Sequence, residues 1–328
     1  MKVLLPFGVV ASLLLAALLV ATSSPWVFGV VVPYLAITVF VVGMVARVLA
    51  WARVPVPFRI PTTAGQQKSL DWLPRGRLDN PSSTLGVVGR MALEVLFFRS
   101  LLRNTRTQMS DRRLVYGTSL TLWLAALAMH WSLLIILVRH LRLFTQPVPA
   151  FVTFVQNVDG FLQVGLPVFQ VTTILFLLAL AYLLYRRLAN PIVRYISLVS
   201  DYFPLFLLLG IGLTGFWMRH LSRTDVRGIK ELALGLAHFA PVVPAGISPL
   251  FFAHLFLVSV LLMYFPFSKL VHAGGVFLSP TRNLANTNRA IRHVNPWDYP
   301  VHVHTYEEYE DELREKMIAA GIPVEKEE

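Results

Sequence analysis

Four histidines carry the chemistry that this sequence suggests first. His130 and His140 stand ten residues apart in one apolar stretch, and His254 and His272 stand eighteen apart in another. An ionisable side chain in an apolar segment is costly, so it marks a function or a buried partner. On an α-helix, ten residues advance about 15 Å and eighteen about 27 Å, so each helix offers ligands at two depths. If the two helices run antiparallel, His140 lies level with His254 while His130 faces His272. Two imidazoles facing each other can hold haem iron from opposite sides and leave no open coordination position, which suits electron transfer. Two such sites stacked across a bilayer make an electron path. A lone intramembrane histidine is more often a hydrogen-bonded core residue or a proton relay; the antiparallel register of four favours haem. The unequal rises of the two pairs demand a tilt or a kink, and Pro266 in Phe265-Pro266-Phe267 is placed to supply one.

The elements that must position these residues are membrane helices. Of 328 residues, 55% are hydrophobic and 14% charged, with a mean hydropathy of +0.62, far from the soluble norm. Six stretches, near residues 3–22, 26–50, 115–138, 161–185, 202–220 and 248–271, have the roughly 20 apolar residues needed to cross a bilayer core. The first also reads as a secretory signal peptide, with Lys2 before the apolar run and Ala21-Thr22-Ser23 after it; it is counted here as a helix. The expected fold is all-α, a polytopic bundle of about six spans with a di-haem core. Four regions are expected: two spans in 1–50, a basic loop in 51–114, the di-haem region in 115–272 and a polar tail in 273–328. Cysteine is absent, which excludes disulfides, thiolate metal sites, iron–sulfur ligation and covalent haem attachment.

Charge sets the orientation. Between the second and third stretches Arg53, Arg59, Lys68, Arg75, Arg77, Arg90, Arg99, Arg103, Arg106, Arg112 and Arg113 face few acids, so this loop is expected in the cytoplasm, with both termini. The loop bearing Arg219, Arg223, Arg227 and Lys230 falls outside by the same count and runs against the rule. The basic residues flank spans rather than forming a soluble basic face, which explains the net charge of +11 by contact with membrane lipid and argues against nucleic acid. Residues 85–103 have the pattern of an amphipathic helix lying on the inner membrane surface or under a partner, or of a solvated helix packed on the loop. The tail, ending in the acidic run Glu307 to Lys316, reads as a docking arm or a disordered end. His220 and His238 are assigned to surface or partner roles, and His293, His302 and His304 to solvent.

The run Phe252-Ala253-His254-Leu255-Phe256 through Tyr264-Phe265-Pro266-Phe267-Ser268-Lys269-Leu270-Val271-His272, with Met129-His130-Trp131 through Val138-Arg139-His140, resembles the respiratory nitrate reductase gamma-subunit family. The resemblance covers about four spans and both pairs, and it implies that His130, His140, His254 and His272 are axial ligands of two b haems. Those gamma subunits are shorter, with five helices. The added first span, basic loop and long tail with Val276-Phe277-Leu278-Ser279-Pro280-Thr281-Arg282-Asn283 resemble the cytochrome b subunits of membrane complexes linked to dissimilatory sulfite reductase. That likeness implies a cytoplasmic iron–sulfur partner similar to heterodisulfide reductase and further membrane and outer-face redox subunits. Arg139 replaces the small residue found before the second histidine in nitrate reductase.

The expected function is therefore quinone-linked electron transfer, with menaquinone or menaquinol exchanging electrons at the outer pair. There Arg139 would hold a quinone oxygen and Asp159 would accept a proton, although interfacial anchoring or ion pairing is the plainer role for both. At the inner pair, Arg282 and Arg289 could bind haem propionates by charge-assisted hydrogen bonds. The alternative from another class is a transporter or membrane anchor whose histidines relay protons or pack. The direction of electron flow is left open.

Overall fold

The computed structural model describes residues 1–54, 68, 72, 76–103, 106–160, 169–222, 224–287 and 302–325. Along the chain lie α1 (Leu4–Val20), α2 (Val27–Ala52, opening with a π turn), α3 (Thr84–Phe97), β1 (Arg106–Ser110), β2 (Arg113–Gly117), α4 (Leu120–Phe144), α5 (Ala150–Asp159), α6 (Val171–Ala189), α7 (Val199–His220), α8 (Val226–Ala237), α9 (Pro249–Tyr264) and α10 (Tyr306–Ala319). The fold is a helical membrane bundle. Among the described residues five helices, α2, α4, α6, α7 and α9 with its continuation to Phe267, are long and apolar enough to cross a membrane. The 17 residues of α1 span only about 25 Å, yet α1 packs on α7 and α9 and buries Val10 against Leu207 and Leu257.

Several expected boundaries shift. The third span starts at Leu120 and runs through His140 to Phe144, because residues 113–117 pair instead as β2 with β1. Asp111 and Arg112, both at positive φ, form the two-residue connection whose twist suits an antiparallel hairpin. This short hairpin is a minor addition to a fold that is otherwise helical among the described residues. The fourth span starts at Val171, and residues 161–168 lie outside the described set. The amphipathic segment forms α3, capped by the Ser83 hydroxyl accepting from Gly86 N–H, and ends at Phe98, where the left-handed backbone (φ 51°) turns the chain.

In the bundle α6 packs on both α4 and α7, and α9 packs on α2, α1 and α7. Phe176, Leu180 and Leu208 fill the first interface, with Met129, Leu133 and Ile136 of α4 against them. Helices α4 and α9, which carry the four histidines, are not among the closely packed pairs. On one face α8 lies across the bundle end, burying Ile229 and Leu232 against Ala21, Val30, Ile247 and Phe252.

The expected kink is present and sharper than a bend. Helix α9 stops at Tyr264, Phe265–Phe267 form a 3-10 turn, Ser268 is extended, and a second turn over Lys269–Val271 leads into a short helix starting at His272. Two residues of α2 hold this break. Gly43 gives Pro266 room, since a Cβ there would come within 2.8 Å of the proline ring. One turn on, Arg47 donates from Nε (3.3 Å) and Nη2 (3.1 Å) to the Pro266 carbonyl, satisfying an acceptor that the interrupted helix leaves without its partner.

Candidate functional site

Two histidine pairs form between α4 and the α9 segment. The His130 and His272 rings lie 6.0 Å apart, centroid to centroid, with planes at 78°. Two imidazoles sharing one metal through nitrogen bonds of about 2 Å each place their ring centres about 6 Å apart, so this pair has the separation a bis-histidine iron requires. His140 and His254 are neighbours close enough for direct electrostatic interaction. The broken α9 makes the first pairing possible: a straight helix would carry residue 272 about 12 Å farther than the His130–His140 rise can match.

All four imidazoles are oriented through Nδ1. His130 donates to the Ala126 carbonyl (2.8 Å), His140 to the Ile136 carbonyl (2.7 Å) and His272 to the Lys269 carbonyl (2.8 Å). His254 meets the Thr214 hydroxyl at 2.9 Å. The Thr214 oxygen also lies 2.8 Å and 3.0 Å from the carbonyls of Gly210 and Ile211, which take its single hydrogen, so it accepts from His254 Nδ1–H. Each ring is thereby set in the tautomer with a lone pair on Nε2, the state of a metal-binding imidazole. His238 makes the same bond to the Leu234 carbonyl without a facing histidine, so the facing pair, not the bond alone, distinguishes the four. Gly215 lets α7 approach His254: a Cβ there would come within 3.3 Å of its ring. Residues of this kind fit haem iron; a group of three or more His, Cys, Asp or Glu suited to holding a bare metal ion is absent among the described residues.

The end of the bundle bearing His130 is closed by α3. Carbonyls at a helix carboxyl end lack internal partners, and two indoles of α4 supply them: Trp131 Nε1 donates to Leu96 (3.0 Å) and Trp123 Nε1 to Phe97 (2.7 Å). This docking sets the Phe98 ring edge-on to His130 at 4.9 Å. Charged residues surround the cap. Arg90, buried, donates to the Asp79 carbonyl, and the Asp79 carboxylate pairs with Arg99 and Arg103. Burial alone would raise the Asp79 pKa, but the hydrogen bonds and charges of those two arginines hold it below 3.8. Burial, with the like charge of Arg282 nearby, lowers that of Arg90. Arg282 lies 3.5 Å from Glu94, packed against α3 rather than free in solvent; Arg289 and His293 fall outside the described residues.

At the other end, Arg139 and Asp159 meet. Arg139 Nη1 is 2.6 Å from Asp159 Oδ2, with side chains 8% and 3% exposed. Asp159 also accepts from the Thr172 amide (2.9 Å) and hydroxyl (2.8 Å), so it caps α6 as well as pairing α4, while Arg139 Nη2 donates to the Thr173 hydroxyl (3.2 Å). Arg139 Nε is buried without a hydrogen-bond partner among the described residues. Arg142 donates to Gln156 (2.8 Å) beside them. His220, assigned from sequence to a surface or partner role, lies half-buried between Phe169 and Phe216; His238, His302 and His304 are exposed. Thr214, Gly215 and Arg47 were not singled out from sequence. A Gly43-x-x-x-Arg47 spacing, one face of one helix, was the available sign for the last.

Comparison with known proteins gives the same direction. Residues 88–293 match the family model described as nitrate reductase gamma subunit. The chain is 46% identical over 279 residues, 83% of each chain, to the Hdr-like menaquinol oxidoreductase cytochrome b-like subunit of Archaeoglobus fulgidus. It is 41% identical over 275 residues, 81% of each chain, to the protein of the same description from Archaeoglobus profundus. A match of that extent, together with paired histidines on two helices of a membrane bundle, makes this chain a member of the nitrate reductase gamma-subunit family.

Proposed function

We propose that the chain is the di-haem cytochrome b of a menaquinol-oxidising membrane complex, with one b haem between His130 and His272 and a second between His140 and His254. The observation that carries this reading is the pair of facing imidazoles 6.0 Å apart in a set of four whose Nδ1 atoms are all engaged. The haems, when bound, supply one-electron carriers at two depths. The protein's own part is to orient the imidazoles, exclude water and keep the pairs at fixed separation.

The outer site, beside His140 and His254, is where menaquinol gives up its electrons. Arg139 offers its buried Nε to a quinone oxygen. Asp159, with both oxygens occupied, serves first as the anchor of Arg139; accepting a proton would require it to leave Arg139 and Thr172. At the inner site Arg282, with Arg90 near it, supplies positive charge for haem propionates, and Arg289, seven residues along the sequence, is the second candidate. Electrons leave there for a cytoplasmic iron–sulfur subunit similar to heterodisulfide reductase, a reading supported by the words "Hdr-like menaquinol oxidoreductase" in the names of the two archaeal relatives, with other membrane and outer-face redox subunits completing the complex. The basic loop and the 273–328 tail form the docking side, and both termini are cytoplasmic. The long tail and the first helix support reading the chain as a Dsr-type subunit of dissimilatory sulfur metabolism.

The test is the reduced-minus-oxidised spectrum and haem content of the purified complex and four single variants. Two b haems are expected, His130→Ala and His272→Ala losing one and His140→Ala and His254→Ala the other. A protein without b-type absorption would instead support a proton relay or anchor, and loss of different haems from His130 and His272 variants would break the pairing.

A further inference from the structure

His220 ends α7, five residues beyond the glycine that seats His254, about 7.5 Å along the axis toward the outer surface. Phe169 stacks on its ring at 4.6 Å and 18°, and Phe216 lies at 4.7 Å and 43°. Both ring nitrogens are shielded, and neither has a hydrogen-bond partner among the described residues. Leaving a buried polar group unpaired costs free energy that a phenylalanine in the same aromatic slot would not. Stacking therefore does not account for an imidazole there. Its polar surroundings are those of the outer site: the neighbouring Arg219 is within electrostatic reach of Arg142 and Asp159.

We infer that His220, held between Phe169 and Phe216, hydrogen-bonds a hydroxyl of the quinol head group and takes its proton as the quinol is oxidised. This rests on the quinol-oxidising reading of the outer site. The chemistry fits, since the two phenylalanines fix the plane of the imidazole and a hydroxyl at the edge of a quinol ring arriving beside them needs one basic nitrogen. The step balances as follows. The quinol releases two electrons, one after the other, to the ferric haem chain and onward to the iron–sulfur partner. One O–H bond breaks with its proton passing to the neutral imidazole, the other proton leaves to the outer aqueous phase, and the imidazolium then returns its proton to the same phase. His220 acts here as general base, a role worth about a hundredfold or more in rate.

The experiment uses the intact complex with a fluorescent hydroxyquinoline N-oxide as quinol mimic. In His220→Phe, haem content and dithionite-reduced spectra stay as in the wild type while mimic affinity falls about tenfold, the loss of one buried hydrogen bond. In His220→Gln, which keeps a hydrogen-bonding group but no base, affinity recovers to within a few-fold and menaquinol-driven haem reduction stays about a hundredfold slow. If wild type binds the mimic and is reduced by menaquinol, and His220→Phe does both equally well, the inference is overturned alone. A wild type that does neither overturns the outer quinol site itself, and the inference with it.

Discussion

Thr214→Val tests the orientation of a single proposed ligand with almost no change in side-chain volume. In the native chain the hydroxyl passes its hydrogen to the Gly210 or Ile211 carbonyl and accepts from His254 Nδ1–H at 2.9 Å. The two carbonyls belong to α7 and keep their helical partners without it. The imidazole, packed against Gly215, loses the hydroxyl acceptor that fixes its Nδ1–H. Losing such an outer partner costs about 10- to 100-fold in metal affinity in comparable sites. Electron density at Nε2 falls with it, so the reduction potential of the haem on His254 rises. The assay is redox potentiometry of the complex with haem quantified for each band. One band, the one lost in His254→Ala, should shift upward and become substoichiometric on dilution, while the band lost in His130→Ala stays fixed. Equal shifts in both bands, or none in either, would refute the assignment of Thr214 to a single ligand.

Gly215→Ala should perturb the same haem by another route, because the added methyl comes within 3.3 Å of the His254 ring and displaces it; a shifted outer-haem spectrum checks this. Asp159→Asn removes one partner of a buried ion pair, a change worth about 3 kcal/mol or more, so thermal unfolding should occur at lower temperature; unaltered stability with collapsed menaquinol-driven reduction would instead make Asp159 a proton acceptor. The Asp79 carboxylate, held below its ordinary pKa by Arg99 and Arg103, contributes stability that is fully present above about pH 4 and lost as pH falls through its lowered value. Protease protection of the 76–103 segment should therefore fail on acidification, and earlier for Asp79→Asn, which should be sensitive at neutral pH.

The sequence carried the bundle because membrane spans are written in composition, and it carried the facing of His130 with His272 because positions on two antiparallel helices meet at matching rises. It did not carry the boundaries near 113–120. Leu114, Val115 and Tyr116 suit an apolar span as well as a strand, and only the turn at Asp111-Arg112 distinguishes them, in a loop of scattered arginines. The mismatch between spacings of ten and eighteen was legible as a demand for a kink, and Pro266 was its visible sign. What keeps the break in place was not legible, since Gly43 and Arg47 lie more than two hundred residues away on α2.

The same distinction separates His254 from His220. A histidine at a helix end beside arginines reads from sequence as a surface residue, because membrane interfaces are rich in such groups. Its partners decide otherwise, and they come from elsewhere in the chain: Phe169 precedes α6, and neither its spacing nor its neighbours announce a contact with residue 220. Thr214 has the converse history. A threonine within an apolar span ordinarily returns its hydroxyl to the carbonyl one turn back, and Thr214 does so; that bond is what turns its lone pair toward His254. A local habit of the residue thus becomes a long-range instruction to an imidazole forty positions later, which sequence spacing alone does not express.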